Sequence, residues 1–80
     1  MTPRFTPQEA LGEAILRARD ERGLDQDEVA RKADLSIPQL SRLEHGQMNP
    51  SWGTVRRISA VLGLPMSELV ARAEQIEENG

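Results

Sequence analysis

The sequence predicts an all-α domain made of five short helices. Apolar residues recur at the three- and four-residue spacing of amphipathic helices, and no stretch alternates in the manner of a half-buried strand. Glycine or proline interrupts this pattern at short intervals, and a Ser, Thr or Asp commonly stands before the next apolar run, where a helix N-cap is expected. A chain of 80 residues suffices for one small domain with a thin core.

The first predicted helix covers residues 8–22 and follows a flexible arm formed by residues 1–7. Its apolar face consists of Leu11, Ile15 and Ala18. Thr6 suits the N-cap of this helix. Gly23 suits its C-terminal end, because glycine adopts the left-handed conformation at little cost.

The next two predicted helices are short and are separated by a tight turn. Asp25 caps the second helix, whose end near Asp34 requires a left-handed conformation that Asp tolerates better than most residues. Ser36 caps the third helix, which runs to His45 and has Gln39 in the reciprocal position of a capping box.

The fourth predicted helix begins at Ser51 and ends at Gly63, and Pro65 opens the fifth. The fifth helix carries an apolar stripe formed by Leu69, Val70, Ala73 and Ile76. This stripe is more apolar surface than a thin domain easily covers, so we predict that it forms a dimer interface. The domain then covers residues 8–76, and residues 77–80 form a flexible tail.

Charge and composition limit the possible partners and location. One Arg and four Glu in residues 68–80 account for the whole formal net charge of −3, and the rest of the chain is neutral. Net acidity therefore does not exclude nucleic acid, because the charges can be segregated onto different faces. With no cysteine and no long apolar run, the sequence predicts a cytoplasmic protein without disulfides and without membrane contact.

The second and third helices together have the form of a helix-turn-helix. Residues 24–69, LDQDEVARKADLSIPQLSRLEHGQMNPSWGTVRRISAVLGLPMSEL, resemble the Cro/CI-type, or XRE, helix-turn-helix family of bacterial and phage regulators. The residues that carry the resemblance are Arg19, Gly23-Leu24, Gln26, Glu28, Ala30, Leu40, Leu43-Glu44, Gly46, Asn49-Pro50-Ser51 and Leu62-Gly63. The resemblance covers about residues 11–70 and implies a lambda-repressor-like fold that binds DNA, similar to the short phage repressors or the controller proteins of restriction–modification systems.

The third helix, residues 36–45, is the predicted recognition helix. With its two leucines turned inward, it exposes the side chains that we predict to read bases: Ile37, Pro38, Gln39, Ser41 and Arg42. Arg42 is the main candidate, because an arginine can bond both acceptors of a guanine. Ile37 and Pro38 can offer only apolar contact, and they suit a packed helix start equally well.

Phosphate contacts would fix the register of this helix on DNA. The resemblance implies that Gln26 binds phosphate, and a helix N-terminus makes Ser51 a second anchor. The predicted phosphate-binding residues are Gln26, Ser36, His45, Asn49, Ser51 and Arg56. The resemblance also implies a structural ion pair between Arg19 and Glu44. The sequence does not orient the cationic side chains of Arg31, Lys32, Arg56 and Arg57.

Two residues fit more than one role. Trp52 suits either a core or interface anchor, or a contact to DNA. His45 lies four residues after Ser41, but no third group is placed to orient it, so we expect neither catalysis nor a bound metal or cofactor.

These features predict a transcription regulator, most simply a repressor or autoregulator, that binds a palindromic operator as a homodimer. The alternative is an antitoxin or adaptor whose main partner is a protein and whose DNA binding is weak. The acidic tail favours the alternative, whereas Gln26, Arg42 and Asn49-Pro50-Ser51 favour DNA.

Overall fold

A computed structural model of the protein describes residues 5–79 and contains five α-helices joined by short turns. The helices are α1 (Pro7–Glu21), α2 (Gln26–Lys32), α3 (Ile37–Glu44), α4 (Trp52–Leu62) and α5 (Met66–Asn79). Over that range no strand is formed, and the predicted all-α class is confirmed. No helix within it is long and apolar enough to cross a membrane.

Side-chain caps begin four of the helices. The capping residues are Thr6, Asp25, Ser36 and Ser51. In α3 the cap is reciprocal: the Gln39 N–H donates to Ser36 Oγ at 3.2 Å, and the Ser36 N–H donates to Gln39 Oε1 at 2.8 Å. An eight-residue helix is marginal without such support, so the cap and the tertiary contacts together hold α3 in place.

The turn between α2 and α3 depends on one residue in an uncommon conformation. Asp34 has a φ of 60°, and within residues 5–79 no other non-glycine residue has a positive φ. The Leu35 N–H then donates to the Ala30 carbonyl at 2.8 Å, which closes the end of α2. The structure thus has the left-handed turn that the sequence predicts at Asp34.

The core receives apolar side chains from all five helices. The largest fully buried ones are Ile15, Val29, Leu40, Leu43, Ile58, Leu62 and Leu69. Leu11, predicted on the buried face of the first helix, is only partly covered. Phe5 also packs partly against the core, although it belongs to the predicted arm.

Three of the four residues in the apolar stripe of α5, predicted to form a dimer interface, are already covered within the single chain. Leu69, Ala73 and Ile76 are buried within the single chain, where α5 packs along α1. Arg72 reinforces this packing, because its Nη1 lies 3.0 Å from Oε1 of Glu21 on α1. Val70, the fourth residue, is 39% exposed. Folding of one chain therefore already covers the stripe.

The helices extend slightly past both predicted ends of the domain. Thr6 caps α1 and Pro7 is its first residue, so the ordered chain begins before residue 8. At the other end α5 continues to Asn79, because nothing breaks the helix after Ile76. The remainder of the predicted arm, residues 1–4, and Gly80 lie outside the described residues.

A glycine lets α1 approach the end of α3 closely. Gly12 is buried, and a Cβ atom at this position would lie 2.6 Å from the Glu44 carbonyl oxygen and closer still to that of Leu43. Backbone atoms cannot move aside as a flexible side chain would. The residue at position 12 therefore sets the distance between α1 and α3.

We expect Gly12→Ala to lower the free energy of unfolding by about 1–3 kcal/mol, the usual cost of overpacking. The direction of this change in the free energy of unfolding is informative, because replacing glycine by alanine in a helix interior otherwise stabilises by about 1 kcal/mol. Urea unfolding followed by circular dichroism measures the change. The matched control is Gly53→Ala in α4, where the nearest atom to a new Cβ lies 3.7 Å away, so this variant should be neutral or slightly stabilised. Equal effects of the two substitutions would contradict the close approach at Gly12.

Candidate nucleic-acid interface

The carboxylate of Glu44 joins three helices. Arg19 of α1 donates to it twice, from Nε to Oε2 at 2.7 Å and from Nη2 to Oε1 at 3.2 Å. Gln26 of α2 donates from Nε2 to Oε1 at 2.7 Å. The Glu44 side chain is 0% exposed, and these charge-assisted bonds compensate for its removal from water. The position of α3 relative to α1 and α2 follows from this network.

Arg19 is held at both ends of its guanidinium. Its Nη1 donates to the Leu24 carbonyl at 3.0 Å, in the turn between α1 and α2. The hydrogen bond to Glu44, helped by the negative charges of Glu44 and nearby acids, raises the pKa of Arg19 above its ordinary value despite partial burial. The guanidinium therefore stays charged at every physiological pH, and the network contains a permanent cation.

The outward face of α3 carries the side chains predicted to read bases. Leu40 and Leu43 point into the core, whereas Pro38, Gln39 and Arg42 are exposed and Ser41 is half-buried. Ile37, at the start of the helix, is 44% exposed, so part of its side chain is accessible to a ligand and the rest is covered. These five residues share one accessible surface.

Gln39 and Arg42 differ in the hydrogen-bonding groups that remain available to an external partner. The carbonyl oxygen of Gln39 accepts one hydrogen bond in the cap of α3, whereas both N–H donors of its amide remain for another partner. Among residues 5–79, no hydrogen bond or ion pair engages the guanidinium of Arg42. All five donors of Arg42 are therefore free for an external acceptor.

His45 ends α3 and lies beside this surface. Its Nδ1 donates to the Ser41 carbonyl at 2.7 Å, which leaves Nε2 of the exposed ring for another partner. Because the ring is tied to the backbone of α3, a contact through Nε2 would position this helix.

The start of α4 provides a second accessible group of donors. Ser51 accepts from the Thr54 N–H at 3.1 Å, and the Val55 N–H donates to the Ser51 carbonyl. Over the described residues, the N–H groups of Trp52 and Gly53 have no such partner, as expected for a first helical turn. Asn49, Ser51 and Arg56, predicted to bind phosphate, are all exposed.

The charge distribution favours an anionic partner at this surface. Residues 35–67 contain three arginines and a single carboxylate. That carboxylate is Glu44, which is buried and paired with Arg19. The exposed parts of α3 and α4 therefore carry positive charge and no exposed acid of their own, while the nearest acids are Asp34 before α3 and Glu9 and Glu13 of α1 beside His45.

Gln26 lies in a less favourable place for phosphate than the sequence suggested. One of its two amide N–H groups donates to Glu44, which leaves one for another acceptor. Its neighbours Asp25 and Asp27 are both exposed acids. These carboxylates would repel a phosphate near Gln26, whereas none of the residues at the start of α4 is an acid.

Three of the cationic side chains that the sequence left unoriented now have defined environments. Arg57 donates from Nε to the Ala33 carbonyl at 2.9 Å and thereby joins α4 to the end of α2. Lys32 pairs with Glu28 one turn earlier at 3.1 Å. Arg56 is exposed, and across residues 5–79 it makes no side-chain hydrogen bond or ion pair. Arg56 is thus available to a ligand, whereas Arg57 stabilises the fold.

Trp52 is not a core residue. Its side chain is 67% exposed at the first position of α4, next to Ser51. Its aromatic ring therefore remains as an anchor for an interface or as a contact to DNA.

Residues 15–69 match the helix-turn-helix protein family over more than half of the chain. The chain belongs to the helix-turn-helix family. The matched range includes all of α2, α3 and α4, and with them the Glu44 network and the start of α4. The resemblance seen in the sequence is confirmed.

Relatives of this helix-turn-helix protein include named regulators. The HTH-type transcriptional regulator DdrOP3 of Deinococcus deserti is 36% identical over 64 residues, which cover 80% of this chain and 50% of DdrOP3. The immunity repressor protein of Bacillus phage phi105 is 35% identical over 68 residues, which cover 85% of this chain and 47% of the repressor. The chain thus spans about half the length of these two relatives.

A solved structure shares the complete fold. The clp gene regulator ClgR from Corynebacterium glutamicum has a TM-score of 0.93 and 26% sequence identity, and the match covers 96% of this chain and 82% of that one. Helix-turn-helix proteins with regulatory names therefore agree with this chain in sequence over most of its length and in structure over nearly all of it.

Sequence reasoning missed several contacts that position the interface. Gln26 and Glu44 are 18 residues apart, and Arg57 and Ala33 are 24 apart, so no local pattern indicates either bond. Gly12 gave a weak signal, since a glycine inside a helical pattern suggests a close approach of another backbone.

We expect Arg19→Met to lower the free energy of unfolding by about 3–5 kcal/mol, because it leaves the buried Glu44 carboxylate without its cation. Adding Glu44→Gln to this variant should recover part of the loss, since the buried charge is then gone. Urea unfolding measures both effects. The matched control is Arg17→Met on the same helix, whose exposed pair with Glu13 is worth at most about 1 kcal/mol. A loss in Arg19→Met no larger than in this control would contradict the central role of the network.

Proposed function

We propose that the protein is a sequence-specific DNA-binding transcription regulator that places α3 in the major groove. The observation that carries the proposal is the accessible surface of α3 and the start of α4, which holds free arginines and no uncompensated acid. Two relatives that bear regulator or repressor names support this assignment.

The dimensions and chemistry of α3 suit the groove. An α-helix with its side chains is roughly 10–12 Å in diameter, and the major groove is roughly 12 Å wide, so α3 can lie in it. Arg42 then provides bidentate recognition of guanine, and Ile37 and Pro38 provide apolar contact to thymine methyl groups. Since few side chains here hydrogen-bond to bases, the shape and deformability of the DNA supply part of the specificity.

Phosphate contacts flank this helix in the proposed complex. Ser51 and the free N–H groups at the start of α4 bind one phosphate, as helix N-termini commonly do. Arg56 adds a positive charge, and Asn49 and Ser36 add hydrogen bonds. His45 adds one only where its Nε2 also carries a hydrogen, because Nδ1 already donates to the Ser41 carbonyl. Gln26 contributes through its remaining N–H, more weakly because of its acidic neighbours.

The active form in this proposal is a homodimer on a roughly palindromic operator. A two-fold axis places two copies of α3 about 34 Å apart, one turn of DNA, so each reads a half-site. Repression or autoregulation is the favoured outcome, in line with the phage repressor among the relatives.

A second candidate function is binding of a protein partner, as in an antitoxin or adaptor. The exposed side of α5 favours it, because Glu74 and Glu78 lie there and form an acidic surface suited to a basic partner. The protein would then bind DNA weakly, with little difference between selected and random sequences.

We expect Arg42→Ala to weaken binding to a selected operator by about 1–3 kcal/mol and to relax preference at one base pair. The operator is first obtained by selecting bound sequences from random DNA, and affinity is then measured by fluorescence anisotropy. Arg17→Ala serves as the control, since Arg17 is exposed on α1 and pairs with Glu13. An equal loss on selected and random DNA would show that Arg42 contacts phosphate and reads no base.

Affinity for DNA should fall steeply with salt, with a logarithmic slope of about −0.9 for each phosphate neutralised. Arg56→Ala should make this slope shallower by about one unit, because one phosphate contact is lost. Arg57→Ala is a poor comparison, as Arg57 supports the fold, so Arg17→Ala again provides the control. A salt-independent affinity would be incompatible with α3 docked between phosphate backbones.

A further inference from the structure

An open apolar groove lies between the start of α1 and the segment that leads into α4. Its volume is about 350 Å³, and its apolar walls are Pro7, Leu11, Pro50 and Val55. The ring of Trp52 forms one side of the groove and is 67% exposed. A large aromatic side chain left in water beside an apolar groove is typical of an interaction surface.

We infer that this groove is the homodimer interface, in which Trp52 of each chain packs into the groove of the other. This inference rests on the homodimer of the proposed function and replaces the α5 stripe as its interface. A two-fold interface is self-complementary, so a projecting ring and an adjacent groove on one chain form two identical contacts.

The charge of the surface supports a second copy as its occupant. In a two-fold interface, residues near the axis face their own copies, so any charge there meets the same charge. None of the residues that line the groove is charged, and the two polar ones, Gln8 and Asn49, are neutral amides. The surface can therefore face itself without repulsion.

Within residues 5–79, the other large hydrophobic side chain exposed outside α3 lies on a surface that carries charge. Val70 lies on the outward side of α5, which also carries exposed Glu74 and Glu78. Two copies of that surface would bring like charges together, while the apolar stripe of α5 is already buried against α1. Within the described part of the chain, the Trp52 groove is the better surface for self-association.

The groove is also continuous with the proposed DNA-binding surface. Ser51, the predicted phosphate anchor, directly precedes Trp52, and Asn49 belongs to both surfaces. Contact between two copies at this position would connect the two N-termini of α4 and hold the two α3 helices at a fixed separation. The spacing of the two half-sites would then follow from the Trp52 contact.

The fluorescence of Trp52 tests the inference directly, because the chain has one tryptophan and no tyrosine. Emission and acrylamide quenching are measured on the full chain over a wide range of protein concentration, beside sedimentation velocity. We expect the emission to move to shorter wavelength and quenching to fall as dimers form, with the same midpoint as the change in sedimentation.

Three variants complete the test. Trp52→Ala should weaken the dimer about 30-fold or more, as expected for a central aromatic anchor. Gln8→Glu keeps the fluorescent probe and suits the first turn of α1, yet it introduces a charge beside the groove, so it should also weaken the dimer. Val70→Ala is the matched control and should leave the dimer unchanged. Unfolding curves show that each variant still folds.

Several outcomes would overturn the inference. These are a chain that stays monomeric, a dimer that forms without any change in Trp52 emission, and a dimer weakened by Val70→Ala but not by Trp52→Ala. A blue shift on one chain bound to a single half-site would assign Trp52 to DNA instead. In each case, salt-dependent binding of half-site DNA that Arg42→Ala weakens would leave the DNA-binding function standing.

Discussion

The buried carboxylate of Glu44 is the constraint on which the candidate interface depends. An ionised group with no exposure to water is tolerated only where donors surround it, and Arg19 and Gln26 provide them from two other helices. Its donors fix α3 at its C-terminal end, while the Ser36 cap fixes the opposite end. A helix of eight residues is thereby held rigidly enough to present a fixed pattern of side chains, which direct recognition of a base sequence requires.

The same pairing explains how an acidic protein offers a surface suited to DNA. If Glu44 were exposed and unpaired, the outward side of α3 would carry a carboxylate close to Arg42. Burial and compensation by Arg19 remove that charge from the surface. The remaining acids lie in α1, α2, α5 and the turns on either side of α2, and residues 45–67 contain none, although Glu9 and Glu13 of α1 lie beside His45. The distribution of charge in the folded chain, rather than its sum, decides which partner it attracts.

Local signals predicted most of the fold, and contacts between distant residues caused the errors. The N-cap at Ser36 and the left-handed turn at Asp34 could be predicted, because both depend only on neighbouring backbone groups. The apolar stripe of α5 showed that this helix buries one side. The spacing of the apolar residues does not tell whether α1 or a second chain covers that side. The bond between Gln26 and Glu44 and the exposure of Trp52 likewise depend on how helices pack. The residues predicted to contact DNA lie on accessible surfaces, and their roles stay predictions.

The packing of α5 on α1 also separates folding from association. If the α5 stripe formed an interface between chains, Leu69, Ala73 and Ile76 would be exposed to water in the monomer, and the chain would fold only as a dimer. Because the single chain buries Leu69, Ala73 and Ile76 itself, its core is complete before any partner arrives. In the proposed dimer, self-association through the Trp52 groove would add a small contact to a folded monomer, and its extent would depend on protein concentration. Two half-sites on one DNA molecule would raise the effective concentration of the second chain, so dimerisation and operator binding would reinforce each other.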